Sequence, residues 1–456
     1  MPVVRSAVFP FRMKTRSARA LALSILRRVE VDGAYVDELL DHARCAEHPV
    51  PKDMALLREL CTGVLRWRGR LDWVLAQFLR TDIGGLTPWI RNVLRLGAYQ
   101  LLFLDRVPDS AAVNECVRLA RRYGHAGTAG LVNGVLRAVA RQKADLTYPD
   151  AEAEPARFLS VFCSHPEWMV ERWLERYGFE ETKALCAANN RRPTTTIRGN
   201  RLRGTRDELI RALGGSGIVA HPHPLVPDFA EVPEPEGLFD TSLFRQGWFQ
   251  AQDPSAGLAV LLLDPQPGER VLDMCAAPGG KTTHIAEKMR DSGQVVALDI
   301  HALRLARVEE NAQRLGLHSI TVLETDALDY GGEGRFDRVL VDVPCSGLGV
   351  LARRADARWS KRDADITPLA ELQLALLTRA ASCVRPGGVL VYSTCTIEPE
   401  ENEAVVEEFL ETLRGDFELD WPGPILSDLT SARYVRTFPH HHQMDGAFAA
   451  RLRRSS

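Results

Sequence analysis

ERVLDMCAAPGGKTTHIAEKM, Glu269 to Met289, opens as a short apolar run, turns at Gly279 and Gly280, and continues at helical spacing. A strand, a Gly-rich turn and a helix in that order make the first half of a βαβ unit. The alternation then repeats: QVVALDI, ITVLETDA, DRVLVDV and GGVLVYST are short apolar runs, with helical segments between most of them. From about Asp253 onward this predicts a mostly parallel, doubly wound sheet, with Phe448 to Leu452 as a last strand.

Ligands of such sheets bind beyond the carboxyl ends of the strands. The turn after the first strand is CAAPGGK, Cys275 to Lys281. Its glycines let backbone approach a ligand closely, and the helix start behind them favours an anionic group. GGKT resembles the end of a phosphate-binding loop, but that motif needs glycine where Cys275 stands, and the dinucleotide pattern G-x-G-x-x-G is also missing. A nucleotide triphosphatase and a dehydrogenase both lose ground. The second strand ends at Asp299 and the third at Asp326, positions where an acid takes ribose hydroxyls or caps a turn. An adenosine bearing a carboxylate but no phosphate suits this set, and S-adenosylmethionine fits that description.

Upstream, residues from about 15 to 142 read as helices throughout, with apolar residues at three and four spacing and no strand signal. The leader MPVVRSAVFPFRMKTRSARA is basic and lacks acids. We read it as a basic leader running into a folded first helix rather than as a transit peptide. KADLTYPDAEAEPARF reads as a linker, followed by two helices and a small α+β insert carrying Arg198, Arg201 and Arg203 in and beside its first strand. The expected domains are therefore 1–145, helical; 146–250, linker helices and insert; and 251–456, the α/β domain. The whole is a multidomain chain, a length of 456 residues being ample for three cores. Net charge is only −3, so bulk charge announces no nucleic-acid partner. Nine cysteines without a Cys-x-x-Cys make a disulfide framework or zinc ribbon a poor reading and point to a reducing cytoplasm. No apolar run approaches a membrane span, so no membrane partner is expected.

Two cysteines sit where the fourth and fifth strands of the sheet end. VDVPCSG places Asp342 and Cys345 after one, and VYSTCT places Cys395 after the next. Each cysteine alone would pass for a small buried hydrophobe. Together, on neighbouring strand ends, they line one pocket beside the cofactor turn. Pro399, Glu400 and Glu401 mark a helix start just beyond Cys395, a place that suits a nucleophilic thiolate.

CAAPGGK, DVPCSG and YSTCT, in this order, resemble the RNA cytosine-C5 methyltransferases. AAVNECVRLARRYG and GLVNGVLR are similar to helices of the antitermination factor NusB, which precede the catalytic domain in the Fmu/Sun (RsmB-type) branch acting on bacterial 16S rRNA. The resemblance implies a NusB-like RNA-binding domain and a Rossmann-like domain using S-adenosyl-L-methionine, with S-adenosyl-L-homocysteine as product. It implies Cys395 as the nucleophile attacking cytosine C6, Cys345 as the second cysteine assisting product release, Asp342 engaging the ring at N3 or the amino group, and Lys281 close to the base or nucleophile. Cys275, Ala276, Ala277, Pro278, Gly279, Gly280, Lys281, Asp299, Arg304, Asp326 and Asp342 are the implied cofactor contacts.

The chain departs from the family pattern in LARRADARW, which has alanine for a usual proline, at Val343, and at Phe448, which stands alone where paired phenylalanines are usual. His440, His441 and His442 read as loop packing, and no metal is expected. Arg198, Arg201, Arg203, Arg353, Arg354 and Arg358 are candidate phosphate contacts, and Trp359 a candidate stacking partner. The catalytic motifs leave rRNA and tRNA open as substrates, and the NusB-like half favours 16S rRNA, unassembled or partly assembled, bound by a monomer. A non-catalytic RNA-binding or assembly factor is the rival from another class; intact Cys395, Cys345 and Asp342 argue against it.

Overall fold

The computed structural model describes residues 17–47, 50–421, 430–431 and 433–456. The chain forms two compact units, one of residues 1–186 with 358–360, the other of 187–357 with 361–456. Residues 1–16 of the basic leader lie outside the described residues; Ser17 caps the expected helix, which runs Ala18–Asp32.

The first unit is helical. Helices Pro51–Arg66, Arg68–Ala76, Pro88–Phe103, Asp109–Tyr123 and Ala126–Gln142 follow the first two. Pro88–Phe103 is the central helix: its residues from Asn92 to Leu101 are all buried. Arg95 on it donates to both oxygens of Asp72, at 2.7 and 2.8 Å, and to Glu30 at 2.9 Å. That leaves no unpaired charge where burial would be costly. The two helices expected near Glu167 span Glu167–Asn189 and meet at Gly178, where φ is 76° and the backbone leaves the helical region.

The second unit contains two sheets. The insert is antiparallel, with β1 (Thr195–Gly199), β2 (His221–Pro222), β3 (Phe229–Val232) and β4 (Phe249–Ala251) in the order β2-β3-β1-β4. Helix Arg206–Gly215 packs on it, opened by a capping box between Thr205 and Glu208.

The larger sheet holds β5 (Arg270–Asp273), β6 (Gln294–Asp299), β7 (Ile320–Glu324), β8 (Phe336–Asp342), β9 (Val384–Thr394), β10 (Phe417–Leu419), β11 (Thr430–Ser431), β12 (Tyr434–Thr437) and β13 (Ala447–Arg454). Its order is β11-β12-β13-β9-β8-β5-β6-β7, with β10 pairing β13. β5 to β9 run parallel, and β13 is antiparallel to β9. The chain steps from β5 outward through β6 and β7, then returns to place β8 on the other side of β5. The order therefore reverses between β5 and β8, and the site belongs at their carboxyl ends. Buried Leu272, Val339, Leu390 and Tyr392 from the strands pack with Leu376, Leu377 and Ala380 from helix Ile366–Cys383, so the strand ends stand on a rigid core.

Candidate active site

β8 and β9 are hydrogen-bonded neighbours, with Asp342 opposite Ser393. Cys345 follows the first strand by three residues and Cys395 follows the second by one. Their Sγ atoms lie 3.0 Å apart, and the Cys395 backbone N–H points to the Cys345 sulfur at 3.4 Å. Both side chains are half-buried. The sulfur of Cys395, then burial, then the charge of Glu401 hold the Cys345 thiol well above its ordinary range. Cys345 is therefore a proton-bearing thiol.

One buried carboxylate ties the two cysteine turns together. Glu401 Oε1 accepts from the Ser346 backbone N–H at 2.8 Å and from Gln373 Nε2 at 2.9 Å, and Oε2 accepts from the Ser346 hydroxyl. Ser346 Oγ meets Thr396 Oγ1 at 2.8 Å, which joins the residue after Cys345 to the residue after Cys395. Thr394 donates to Asn402 Oδ1 at 2.6 Å, and Asn402 Nδ2 donates to the Thr396 carbonyl at 3.1 Å. The segment expected to open a helix is a 3-10 turn, Pro399–Glu401, and the helix runs Glu403–Thr412. The acid at 401 is thus committed to bracing the thiols. Close approach of backbone adds to the fit: a Cβ on Gly349 would meet the Gly446 carbonyl oxygen at 2.0 Å.

Lys281, on the first turn of helix Gly280–Lys288, donates to Asp342 Oδ2 at 2.6 Å, and Ser393 Oγ donates to Oδ1 at 2.7 Å. Burial works against the Lys281 ammonium, but the charge of Asp342 and its hydrogen bond outweigh it, and the pKa is raised. A cavity lies against Lys281 and Cys395, walled also by Ser255, Asp253, Asp445 and Phe448. Asp253 and Asp445 were missed in the sequence. They lie 192 positions apart, and Arg353 pairs with both, at 2.7 and 2.9 Å. Burial and the neighbouring Asp253 push Asp445 up to about 8 against the pull of Arg353. The signal was present in MDGAF, where an acid precedes a glycine beside a strand, but nothing local gave it a partner.

The Cys275–Lys281 turn leaves β5 and is tethered to β6 by the Ala276 N–H on the Leu298 carbonyl at 2.8 Å. Gly279 has φ of 97°, and a Cβ there would stand 3.0 Å from Val308 Cα, so this position requires glycine. Asp299 accepts from Ala277 N at 3.3 Å and from His301 N at 3.0 Å. Asp326 caps a 3-10 turn through Leu328 N, and Arg304 reaches the Ala277 carbonyl at 3.5 Å. Beneath the turn, burial raises Asp273 to about 7, and Thr282 donates to it at 2.7 Å. Burial, then the acids at 273, 342, 299 and 326, raise the Cys275 thiol.

Family models match in register with this architecture. Residues 260–453 match the 16S rRNA methyltransferase RsmB/F, residues 16–141 the NusB family, and residues 165–235 the ferredoxin-like domain of RsmF/B-like methyltransferases. A probable ribosomal RNA small subunit methyltransferase B of Bacillus subtilis is 36% identical over 97% of this chain and 100% of its own length. The chain belongs to the 16S rRNA methyltransferase RsmB/F family. Ribosomal RNA small subunit methyltransferase B of Salmonella paratyphi B is 39% identical over 87% of this chain and 91% of its own. Among solved structures, PH0851 superposes with a TM-score of 0.80 at 27% identity, covering 97% of this chain and all of that one. NSun6 from Pyrococcus horikoshii, solved with SFG, gives 0.55 at 26% identity over 64% of this chain and 98% of its own.

In this RsmB/F methyltransferase the arginines expected to hold RNA divide sharply. Arg198 is buried and bonds Glu287 through two nitrogens at 2.9 and 2.8 Å, the Gly280 carbonyl at 2.9 Å, Thr283 at 3.1 Å and Gln252. Arg358 is wholly buried and donates to the Arg66 and Ser164 carbonyls at 3.1 and 3.0 Å. Trp359 gives its indole N–H to the Leu65 carbonyl at 2.6 Å, with Arg68 over its ring at 5.3 Å. These three are packing residues: these hydrogen bonds all run to other groups of the protein. Arg353 is engaged by two aspartates, and Arg201 pairs with Asp228 at 2.7 Å while half-exposed. Arg203 is exposed, and Arg354 lies half-buried 3.9 Å from Asp356. No helix among the described residues is long and apolar enough to cross a membrane.

Proposed function

We propose that this chain transfers the methyl group of S-adenosylmethionine to C5 of a cytosine in 16S rRNA through a covalent bond between Cys395 and C6. The observation that carries the reading is the pair of sulfurs 3.0 Å apart on adjacent strand ends, with Lys281 and Cys395 lining one cavity. Cytosine C5 is a poor nucleophile. Addition of the Cys395 thiolate to C6 makes C5 enamine-like and divides one hard step into easier ones. Lys281 puts a cation in the cavity where negative charge gathers as C6 is attacked, and Asp342, oriented by Lys281 and Ser393, meets the ring at N3 or the amino group. After methylation the C5 proton passes to water, its C–H electron pair becomes the C5=C6 double bond, and the C6–S bond breaks with its electron pair returning to Cys395 as thiolate. Cys345, the proton-bearing neighbour, assists that release.

The turn fits the cofactor. Gly279 gives a bare backbone surface, Asp299 ends β6 where ribose is met, and no phosphate-loop glycine stands at 275. Cys275 to Lys281, Asp299, Arg304 and Asp326 would hold S-adenosylmethionine, which supplies an electrophilic methyl. The boundaries 1–145, 146–250 and 251–456 remain our division of labour: RNA or protein contact, RNA contact by Arg201 and Arg203, and chemistry. The monomeric state and an unassembled or partly assembled rRNA are part of the same proposal.

The test is methyl transfer from labelled S-adenosylmethionine to unmodified 16S rRNA and, separately, to tRNA. Transfer to rRNA at cytosine C5 is expected. Transfer to tRNA alone would replace the substrate, and no transfer would leave an RNA-binding factor. Cys395→Ala should abolish transfer, and Cys345→Ala should accumulate a protein–RNA adduct stable to denaturant. An adduct formed by Cys395→Ala instead would reverse the two roles.

A further inference from the structure

The helical unit contains a second polar recess that the methyl-transfer chemistry does not use. It is a cavity of ≈ 200 Å³ whose lining includes Arg70, Phe103, Lys143 and Tyr148. Arg70 projects from helix Arg68–Ala76, and Tyr148 lies in the segment between helices Ala126–Gln142 and Pro155–Phe162.

Arg70 is held in an unusual way. Its guanidinium carbon lies 4.3 Å from the ring centre of Phe162, 5.0 Å from Tyr148, and 5.7 Å from both Trp67 and Phe103. Nε donates to Tyr148 Oη at 2.9 Å. Four rings and one phenol are its partners. No carboxylate pairs with it among the described residues, and neither terminal nitrogen has an acceptor there. Arg95 in the same unit shows the alternative, with Asp72 and Glu30 neutralising it. Ring quadrupoles stabilise a half-buried cation but do not neutralise it or satisfy its N–H groups. Lys143 adds a second cation, an ammonium at the exposed rim, with its charge shared by Asp109 at 3.0 Å. A rigidly placed fork of open N–H donors with no carboxylate of its own, and a lysine on the same recess whose charge Asp109 shares, describe a receptor for an anion with several oxygens.

In a methyltransferase of rRNA, the abundant anion of that kind is the phosphodiester of the substrate. We propose that the Arg70–Lys143 recess binds a backbone phosphate of the RNA, fixing the register of the substrate at a distance in sequence from the cysteines. This rests on the rRNA reading above. Phe103 is already stacked with Trp67 and Tyr99, at 4.7 and 5.3 Å, and Tyr148 carries the Arg70 guanidinium over its ring, so the recess offers charge rather than a platform for a base.

The experiment uses the full chain, filter binding of unmodified 16S rRNA transcript across a range of monovalent salt, and methyl transfer at saturating rRNA. For Arg70→Gln, the slope of log affinity against log salt should flatten by about 0.7–0.9, one phosphate contact. Affinity at moderate salt should fall roughly tenfold. kcat should stay within about twofold, because only ground-state and transition-state binding together are weakened. Arg70→Lys should keep the slope while losing part of the affinity, since it keeps charge but not the fork. A wild-type slope in Arg70→Gln, with only a lowered melting temperature, would make Arg70 a structural cation and overturn the proposal. If Arg70→Gln does not fold, Lys143→Gln at the exposed rim decides: a reduced slope upholds the recess and an unchanged slope overturns it. Wild-type protein that methylates no rRNA would overturn the substrate reading and this inference with it; intact rRNA methylation beside unchanged slopes overturns the inference alone.

Discussion

Glu401 is the residue whose replacement probes most directly how the two thiols are held. It accepts three hydrogen bonds while fully buried, two on Oε1 and one on Oε2. Glutamine can keep its oxygen at the Oε1 position, where Ser346 N–H and Gln373 Nε2 need an acceptor. Its amide nitrogen then replaces Oε2, and the Ser346 hydroxyl rotates to accept from it. What is lost is the ionic part of each bond, about 1–2 kcal/mol in total. Alanine removes both oxygens and leaves the Ser346 N–H and one N–H of the Gln373 amide buried without acceptors, the other keeping the Pro344 carbonyl at 2.9 Å. At about 1–3 kcal/mol each, with a cavity added, that costs about 3–6 kcal/mol. Slackness passes to both cysteine turns through Ser346 and Thr396, and misplacement of about 1 Å costs on the order of 100-fold in rate. The assay is single-turnover methyl transfer together with urea unfolding. Glu401→Gln should retain at least a tenth of the rate, and Glu401→Ala should lose about 100-fold or more. Removing the Glu401 charge also lowers the Cys345 pKa, so in Glu401→Gln the alkaline limb of the pH–rate profile should move to lower pH. Equal stability and equal rates in wild type, Gln and Ala variants would refute the bracing role.

Arg198→Met breaks a fully buried ion pair and strands Glu287; unfolding should report a loss of about 3–5 kcal/mol, while the salt slope of RNA binding stays at its wild-type value. Gly279→Ala forces a side chain into a left-handed backbone against Val308, and kinetics should show a KM for S-adenosylmethionine raised about tenfold by about 1–2 kcal/mol of strain. Asp273 has a folded pKa of about 7, above its unfolded value near 3.8, so its ionisation destabilises the fold as pH rises through that window. Asp273→Asn should therefore gain on wild type by up to about 4 kcal/mol between pH 4 and 8 in urea titrations at the two pH values.

Much of the catalytic half was legible because its chemistry sits at strand ends, and strand ends are local signals. Asp342, Cys345 and Cys395 each follow an apolar run, and the run of βαβ units fixes which strands are neighbours. Burial was not legible in the same way. Arg198 lies in TTIRG, which reads equally well as a basic strand edge or as a strand with one inward arginine; Glu287 on a helix 89 positions later decides between them. Arg358 and Trp359 follow two arginines in a polar run, and only carbonyls near positions 65 and 164 reveal them as packing groups. Glu401 looked like a helix-start acid because it follows proline, yet the tertiary pull of Ser346 and Gln373 delays the helix to Glu403. Arg70 escaped notice because its rings come from four separate segments.

The register of β13 against β9 sets Phe448 opposite Thr394, and Ala447, Phe448 and Ala449 wall the cavity that Cys395 lines. A nascent chain therefore carries both thiols out of the ribosome before it owns a finished binding chamber. Messages cut short ahead of codon 447 would yield a protein that has both cysteines but lacks the Ala447–Ala449 side of that cavity. On the mechanism proposed above, such fragments should bind S-adenosylmethionine without transferring its methyl group, so catalysis would wait for translation through the last strand of the sheet.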